Sequence, residues 1–181
     1  MEKIKEENKE RVMNIIQKAG DPDNYEISWD EKGIPRFKKK SEIKKGKKSR
    51  ASGVRFELKV KENLEKMGWV VSKWMNTVDY EGGGKIGKLV PAKRKFNPFF
   101  KALTIGTGFP DFVCFKKNES GCYDVIGVEV KKAGYLDRIE KGMCEWLIQN
   151  KIFNKILVAK KSKKRGEIEY IEFKEKHGGN N

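Results

Sequence analysis

Apolar positions along the chain change their period several times, and each change marks an element. Residues 2–19 place Ile4, Val12, Ile15 and Ile16 at loosely helical spacing among charges, and Gly20 followed by Asp-Pro-Asp ends the segment as a helix C-terminus does. "NYEISWDEKGIPRF" fits a small hairpin or a docked loop. From Ala51 onward Phe56, Val60, Leu64 and Met67 fall on one face at offsets of four, four and three, which predicts a helix stopped by Gly68. "WVVSKW" follows as a strand. Residues 76–107, Gly-rich and basic, sustain neither period and predict a long loop with one helical turn near "NPFFKAL". "FPDFVCF" and "YDVIGVEVKK", rich in Val, Ile and aromatics, read as two strands joined by the turn-forming "KKNESGC". "LDRIEKGMCEWLIQN" places Ile139, Met143, Trp146, Leu147 and Asn150 on a helical stripe; "KIFNKILVAKK" is a strand and "EIEYIEF" a further one at an edge. The order from residue 51 is therefore α, β, β, β, α, β, an α/β class, with no internal repeat. The expected organisation is an N-terminal helix and basic arm over residues 1–49, one domain over 50–174 and a polar tail over 175–181.

Composition makes the partner concrete. Of 181 residues, 37% are apolar, with four Trp and ten Phe, enough for a real core; 41 Lys and Arg against 26 Asp and Glu leave a formal charge of +15. With no basic amphipathic helix or lipidation signal, that excess points to nucleic acid rather than an acidic membrane. The run "RFKKKSEIKKGKKSR", with nine basic residues and one acid, reads as a solvated arm that offers Lys38, Lys39, Lys40, Lys44, Lys45, Lys47, Lys48 and Arg50 to phosphates. It also resembles a bipartite nuclear import signal, but such runs are common in any nucleic-acid binder. The Gly-rich segment offers Lys85, Lys88, Lys93, Arg94 and Lys95. "GGGKIGKL" nearly spells a phosphate-binding loop, yet Leu89 stands where Ser or Thr is needed and Pro91 prevents the following helix. Cys114, Cys122 and Cys144, odd in number and without CxxC spacing, read as reduced core residues. Trp69, Trp74 and Trp146 sit within apolar patterns and read as core, whereas Trp29, among charges, reads as exposed. No signal-peptide core or apolar run of about 20 residues occurs, so a soluble, intracellular (cytoplasmic) protein is expected.

Two carboxylates contradict the basic average, because Asp111 and Glu129 lie inside apolar runs. Directly opposed residues of an antiparallel pair have a constant number sum, and a turn centred near Ser120 makes it about 240. Asp111 then faces Glu129 with Cβ atoms roughly 5 Å apart, and Lys131 shares the face of Glu129. Two carboxylates that close repel unless a cation neutralises them; oxygen donors without His or Cys suit Mg²⁺ or Mn²⁺. The only histidine, His177, is in the tail, which removes His-metal sites and the usual Ser-His or Cys-His nucleophiles. The competing reading is a structural ion pair. Gly108 and Pro110 before Asp111, and Gly127 beside Glu129, predict a bare face where a bulky ligand nears the backbone.

These residues carry a resemblance. "FPD" at 109–111 and "VEVKK" at 128–132 resemble the signature of the PD-(D/E)XK nuclease superfamily, Pro110-Asp111 followed by Glu129-x-Lys131. "SGVRFELKVKENLEKMGWVV" is similar to the first helix and strand of archaeal Holliday-junction resolvase-like members, with Glu57 at their helical acidic position. "EVKKAGYLDRIEKGMCEWL" is similar to VRR-NUC-type nucleases, though those place a Gln in the following helix where Glu140 or Lys141 stands here. The likeness spans roughly residues 50–160 and implies a restriction-endonuclease-like core with a central mixed sheet. It implies that Asp111, Glu129 and the carbonyl of Val130 ligate Mg²⁺, that Glu57 reaches the metal directly or through water, and that Lys131 orients or helps deprotonate the attacking water. The function so implied is a Mg²⁺-dependent endonuclease acting on DNA, with branched or repair-intermediate DNA first among substrates and a homodimer as the assembly. The alternatives are a non-catalytic nucleic-acid-binding protein and an RNA-associated one.

Overall fold

The computed structural model describes residues 6–81, 85–97, 102–105 and 108–174. Ile4, the triple glycine at 82–84, residues 98–101 of the expected helical turn, and the tail 175–181 with His177 lie outside the described residues. The chain divides into two compact units, Met1–Val54 and Arg55–Asn181. Among the described residues, no helix is long and apolar enough to cross a membrane.

In the first unit, helix α1 (Glu6–Ala19) ends where the sequence places its stop: the Gly20 N–H donates to the Ile16 carbonyl at 2.9 Å. Strands β1 (Tyr25–Trp29) and β2 (Pro35–Lys39) form an antiparallel hairpin, so of the two readings of that stretch the hairpin holds. Asp30 shapes its turn, accepting the N–H groups of Lys32 and Ile34 while Gly33 takes φ 71°. The expected arm over residues 36–50 is a correction. Arg36–Lys39 belong to β2, and from Lys40 the chain is helical without a break in α2 (Lys40–Lys66). Lysine is a good helix former, and extending a nucleated helix costs far less than starting one, so the basic run continues the apolar-faced helix instead of fraying.

In the second unit, Phe56, Val60 and Leu64 of α2 are buried as the spacing predicts, but Met67, beyond the last turn, is half exposed. The helix closes in a Schellman cap: Gly68 at φ 83° donates to Glu65, and Trp69 donates to Leu64. A five-stranded mixed sheet follows, in the order β11-β10-β9-β8-β3. Its members are β3 (Val70–Lys73), β8 (Phe112–Lys117), β9 (Tyr123–Val130), β10 (Lys155–Lys161) and β11 (Ile168–Glu172), with β9 and β10 parallel and the other pairs antiparallel. Helix α3 (Arg138–Gln149) connects the parallel pair. Residues 76–105, expected as a loop, instead contain two hairpins: β4 (Asn76–Glu81) with β5 (Lys85–Pro91), and β6 (Arg94–Asn97) with β7 (Ala102–Ile105). In the β4–β5 hairpin Val78 is buried and Leu89 partly so, but a shift of register between Asp79 and Tyr80 and a sequence rich in Gly and Lys leave no period of two to read.

Alternation along the strands gives each sheet face its own core. Phe112, Cys114, Ile126 and Val128 pack on the α2 side with Phe56, Val60 and Leu64. Val113, Phe153 and Ile156 pack on the α3 side with Cys144 and Leu147. Each fully buried large side chain contributes about 1.5–3 kcal/mol relative to exposure. Three positions depart from the stripe and the cysteine reading: Ile139 is half exposed, Asn150 is the exposed C-cap of α3, and Cys122, in the β8–β9 turn, is exposed, while Cys114 and Cys144 are buried free thiols. Trp69, Trp74 and Trp146 pack at the margins of the two cores, and Trp29 is exposed.

Candidate functional site

The β8–β9 register sets the site. Every pair from Phe112↔Val128 to Lys117↔Tyr123 adds to 240, the sum expected from the turn, so Asp111, one residue before β8, comes opposite Glu129. The two are tied crosswise. The Asp111 N–H donates to Glu129 Oε2 at 3.1 Å, and the Val130 N–H donates to Asp111 Oδ2 at 2.9 Å. The backbone of Asp111 is held from the other side as well, its carbonyl accepting the Trp74 N–H at 3.1 Å. One oxygen of each carboxylate is thus fixed by main chain, and the second faces an ammonium group. Lys131 Nζ lies 3.2 Å from Glu129 Oε1, and Lys73 Nζ lies 3.9 Å from Asp111 Oδ1.

Each lysine is shared with a second acid. Lys131 bonds Glu140 Oε1, and Lys73 bonds Glu57 Oε1. Glu140 is itself fixed, because its Oε2 accepts the Asp137 N–H at 2.9 Å while Asp137 Oδ1 accepts the Glu140 N–H at 2.8 Å, a reciprocal capping box at the start of α3. Lys73, opposite Phe112 in the β3–β8 pairing, lies over that ring at 4.9 Å and so comes from the α2 side, with Glu57. Lys131 and Glu140 come from the α3 side. The end of the sheet at Asp111 is where charged groups of both faces meet.

Burial dominates the electrostatics. Glu129, 5% exposed, has its pKa pushed up to about 8, first by burial and then by the negative charge of Asp111. Burial also raises Asp111, against the Val130 N–H, with Glu57 adding to the rise. Burial works against the charge of Lys131, but its hydrogen bonds to Glu140 and Glu129 outweigh that and raise its pKa, so the ammonium keeps its proton. Within this cluster four carboxylates (Glu57, Asp111, Glu129, Glu140) face two ammonium groups, leaving two negative charges uncompensated when all are ionised.

That deficit and the donor types decide what the site can hold. Among the described residues no group of three His, Cys, Asp or Glu side chains is gathered so as to hold one ion. Asp111 and Glu129 stand as a pair, with Glu57 drawn to Lys73. A backbone carbonyl can complete the set. The Lys131 N–H donates to Ala159 across the parallel ladder, so the preceding peptide groups of Val130 face the opposite edge, towards Asp111. Two carboxylates and a carbonyl, all hard oxygen donors, fit a hard divalent cation, which would displace the proton that burial otherwise leaves on Glu129.

The glycines correct the sequence reading. A Cβ on Gly127 would stand 2.8 Å from Pro110 Cγ and 3.3 Å from Phe153, and one on Gly108 would stand 2.3 Å from the Trp74 carbonyl. Both serve close packing of the protein on itself; they leave no bare face for a ligand.

The expected phosphate contacts distribute over both units. Lys38 and Lys39 are exposed on β2, and Lys40, Lys44, Lys45, Lys47, Lys48 and Arg50 are exposed on α2 in the first unit. In the second, Lys88 is exposed on β5 and Lys93 is exposed before β6, while Lys85 lies on β5 and Arg94 and Lys95 on β6. Sequence reasoning missed Lys73 and the role of Glu140. The β3–β8 register, whose pairs add to 185, brings in the first, and no tight turn joins those strands to fix it from the sequence; the spacing Asp137-x-x-Glu140, a capping-box signature, signals a helix start for the second but not a place in the site. Comparison of the chain with protein-family models, with curated proteins and with solved structures finds no match.

Proposed function

We propose that the protein is a metal-dependent endonuclease of the PD-(D/E)XK kind, with a restriction-endonuclease-like core, that hydrolyses phosphodiester bonds in DNA. The observation that carries this reading is the crosswise tie of Asp111 and Glu129, with Lys131 beside them, at one end of the central sheet. The order α2, β3, β8, β9, α3, β10 supports it. Asp111, Glu129 and the Val130 carbonyl would hold Mg²⁺ or Mn²⁺. When bound, such an ion polarises a phosphoryl oxygen and lowers the pKa of a water molecule. The chain's own groups do the rest. Backbone N–H groups fix the carboxylates in place before substrate arrives, so no reorganisation is needed during reaction. Lys131, held by Glu140 and fully protonated, places an ammonium where charge develops on the phosphate. Glu57 acts through Lys73, which it holds towards Asp111.

The test is incubation of the protein with Mg²⁺ and a panel of linear, nicked, flapped and four-way DNA, with EDTA as control. Metal-dependent cleavage of at least one member, concentrated on the branched forms, is expected. Absence of cleavage from every member in both Mg²⁺ and Mn²⁺ would sink the reading. One observation favours a second reading: Lys131 and Lys73 each already bridge two acids. In that case the cluster is structural and the protein binds nucleic acid without cutting it.

A further inference from the structure

The segment linking Lys131 to Glu140 holds an aromatic side chain that neither core uses. Tyr135 is 82% exposed, yet its backbone is tightly constrained. On one side Gly134, at φ 78°, donates to the Lys131 carbonyl at 2.7 Å and lies so close to the Lys160 side chain that a Cβ would meet it at 2.6 Å. On the other, Leu136 packs against the α3-side core and Asp137 is locked in the capping box. A mobile loop tip would leave such a ring with freedom to lose on binding; here the ring is presented from a segment held at both ends.

Basic groups flank the same segment. The Lys132 carbonyl accepts the Lys161 N–H at 3.3 Å, which brings the two residues side by side. Lys132, two residues past β9, therefore lies beside Lys161 at the end of β10. A backbone-tracking basic group next to a presented aromatic ring is the arrangement by which proteins hold single strands: phosphates lie on the cations and a base stacks on the ring.

We infer that the Lys131–Asp137 segment holds a single-stranded stretch of DNA beside the candidate site, with an unpaired base stacked on Tyr135 and the flanking phosphates on Lys132 and Lys161. This rests on the nuclease reading and narrows it, because a base can reach Tyr135 only when freed from its duplex, as in a flap, a gap or a branch.

The experiment is fluorescence-anisotropy binding of the full chain in EDTA at low salt to three labelled probes: a single-stranded oligonucleotide, the same strand carrying abasic positions, and a blunt duplex. Base–aromatic stacking is worth enough that Tyr135→Ala should weaken binding to the base-bearing strand by about 5- to 150-fold. Tyr135→Phe keeps the ring and should stay within about twofold. On the abasic strand and on the duplex, Tyr135→Ala should match the parent, since neither presents a free base. Equal affinity of Tyr135→Ala and parent for the base-bearing strand overturns the inference, as does equal weakening on the abasic strand. Cleavage with Mg²⁺, measured in parallel, reads the nuclease reading separately. Base-dependent binding without cleavage upholds the stacking and refutes the nuclease; cleavage with no effect at Tyr135 does the reverse.

Discussion

At the residue scale, the crosswise tie makes separable demands on its members. On the nuclease reading, Asp111→Asn, Glu129→Gln and Lys131→Ala should each lower DNA cleavage by at least ~100-fold while leaving binding in Ca²⁺ or EDTA near that of the parent, because each removes a charge that would act on the reacting phosphate. Glu57→Gln should cost less, since Glu57 bonds Lys73 and lies outside the Asp111–Glu129 pair. A second test needs no activity. Glu129 binds its proton more tightly in the folded protein, with a pKa of about 8 against an ordinary 4.5, so between those values the unfolded chain has released a proton that the native state retains. Stability contributed by this group is therefore present at low pH and lost as pH rises towards 8. Melting temperature in EDTA should fall across that window, the fall should be smaller in Glu129→Gln, and added Mg²⁺ should raise the melting temperature more at pH 8 than at pH 5. A flat profile in the parent would contradict the burial that sets the shift. Asp111, Glu129 and Lys131 were legible in the sequence because charges inside apolar runs stand out and strand geometry has a fixed period. Lys73 and Glu140 were not, because in this basic chain a lysine at a strand end and an acid in a helix's first turn look like ordinary surface.

At the element scale, the sheet is built by close approach as much as by hydrophobic content. Gly127 and Pro110 occupy one space between them, and Phe153 and Ile156 close it from β10 and the turn before it. Gly127→Ala forces Pro110 aside, and Asp111 moves with it; the expected cost is about 1–3 kcal/mol from overpacking, read from the denaturant midpoint, together with a loss of cleavage larger than stability alone explains. Unchanged stability would mean that Pro110 yields without cost. The same close approach shows why Gly127 misled as a sequence signal: a missing side chain looks identical whether a ligand or a proline ring fills its place. The β8–β9 hairpin was readable because its turn residues fix the register. The hairpins within 76–105 were not, because a two-stranded ribbon is held by main-chain hydrogen bonds that leave no mark on composition. The helical course of residues 40–50 was hidden by charge density, which is as compatible with a solvated helix as with an arm.

At the scale of the whole molecule, the charge of +15 acts through exposed side chains. Lys44, Lys45, Lys47 and Lys48 are all exposed on α2. Replacing these four by Gln should weaken DNA binding and flatten the slope of log affinity against log salt by about 0.9 for each phosphate no longer neutralised, over roughly 50–200 mM salt. Cleavage per bound complex should be unchanged. Parallel slopes for parent and variant would mean that these lysines do not touch the DNA backbone. Finally, the bridge from Lys131 to Glu140 determines which parts of the chain can change in length. It closes residues 131–140 into a ring, so one inserted residue among 132–136 would pull either the lysine from Glu129 or the glutamate from the helix end. The Asn118–Cys122 turn at the far end of the same hairpin is closed by neutral hydrogen bonds between Asn118 and Cys122, with no ion pair to the candidate site, and there lengthening costs those bonds and loop entropy of about 0.6 kcal/mol per doubling. Insertions should therefore be tolerated at one end of strand β9 and rejected at the other, a polarity that a library of single-residue insertions along 116–140, sorted by folding and cleavage, would make visible.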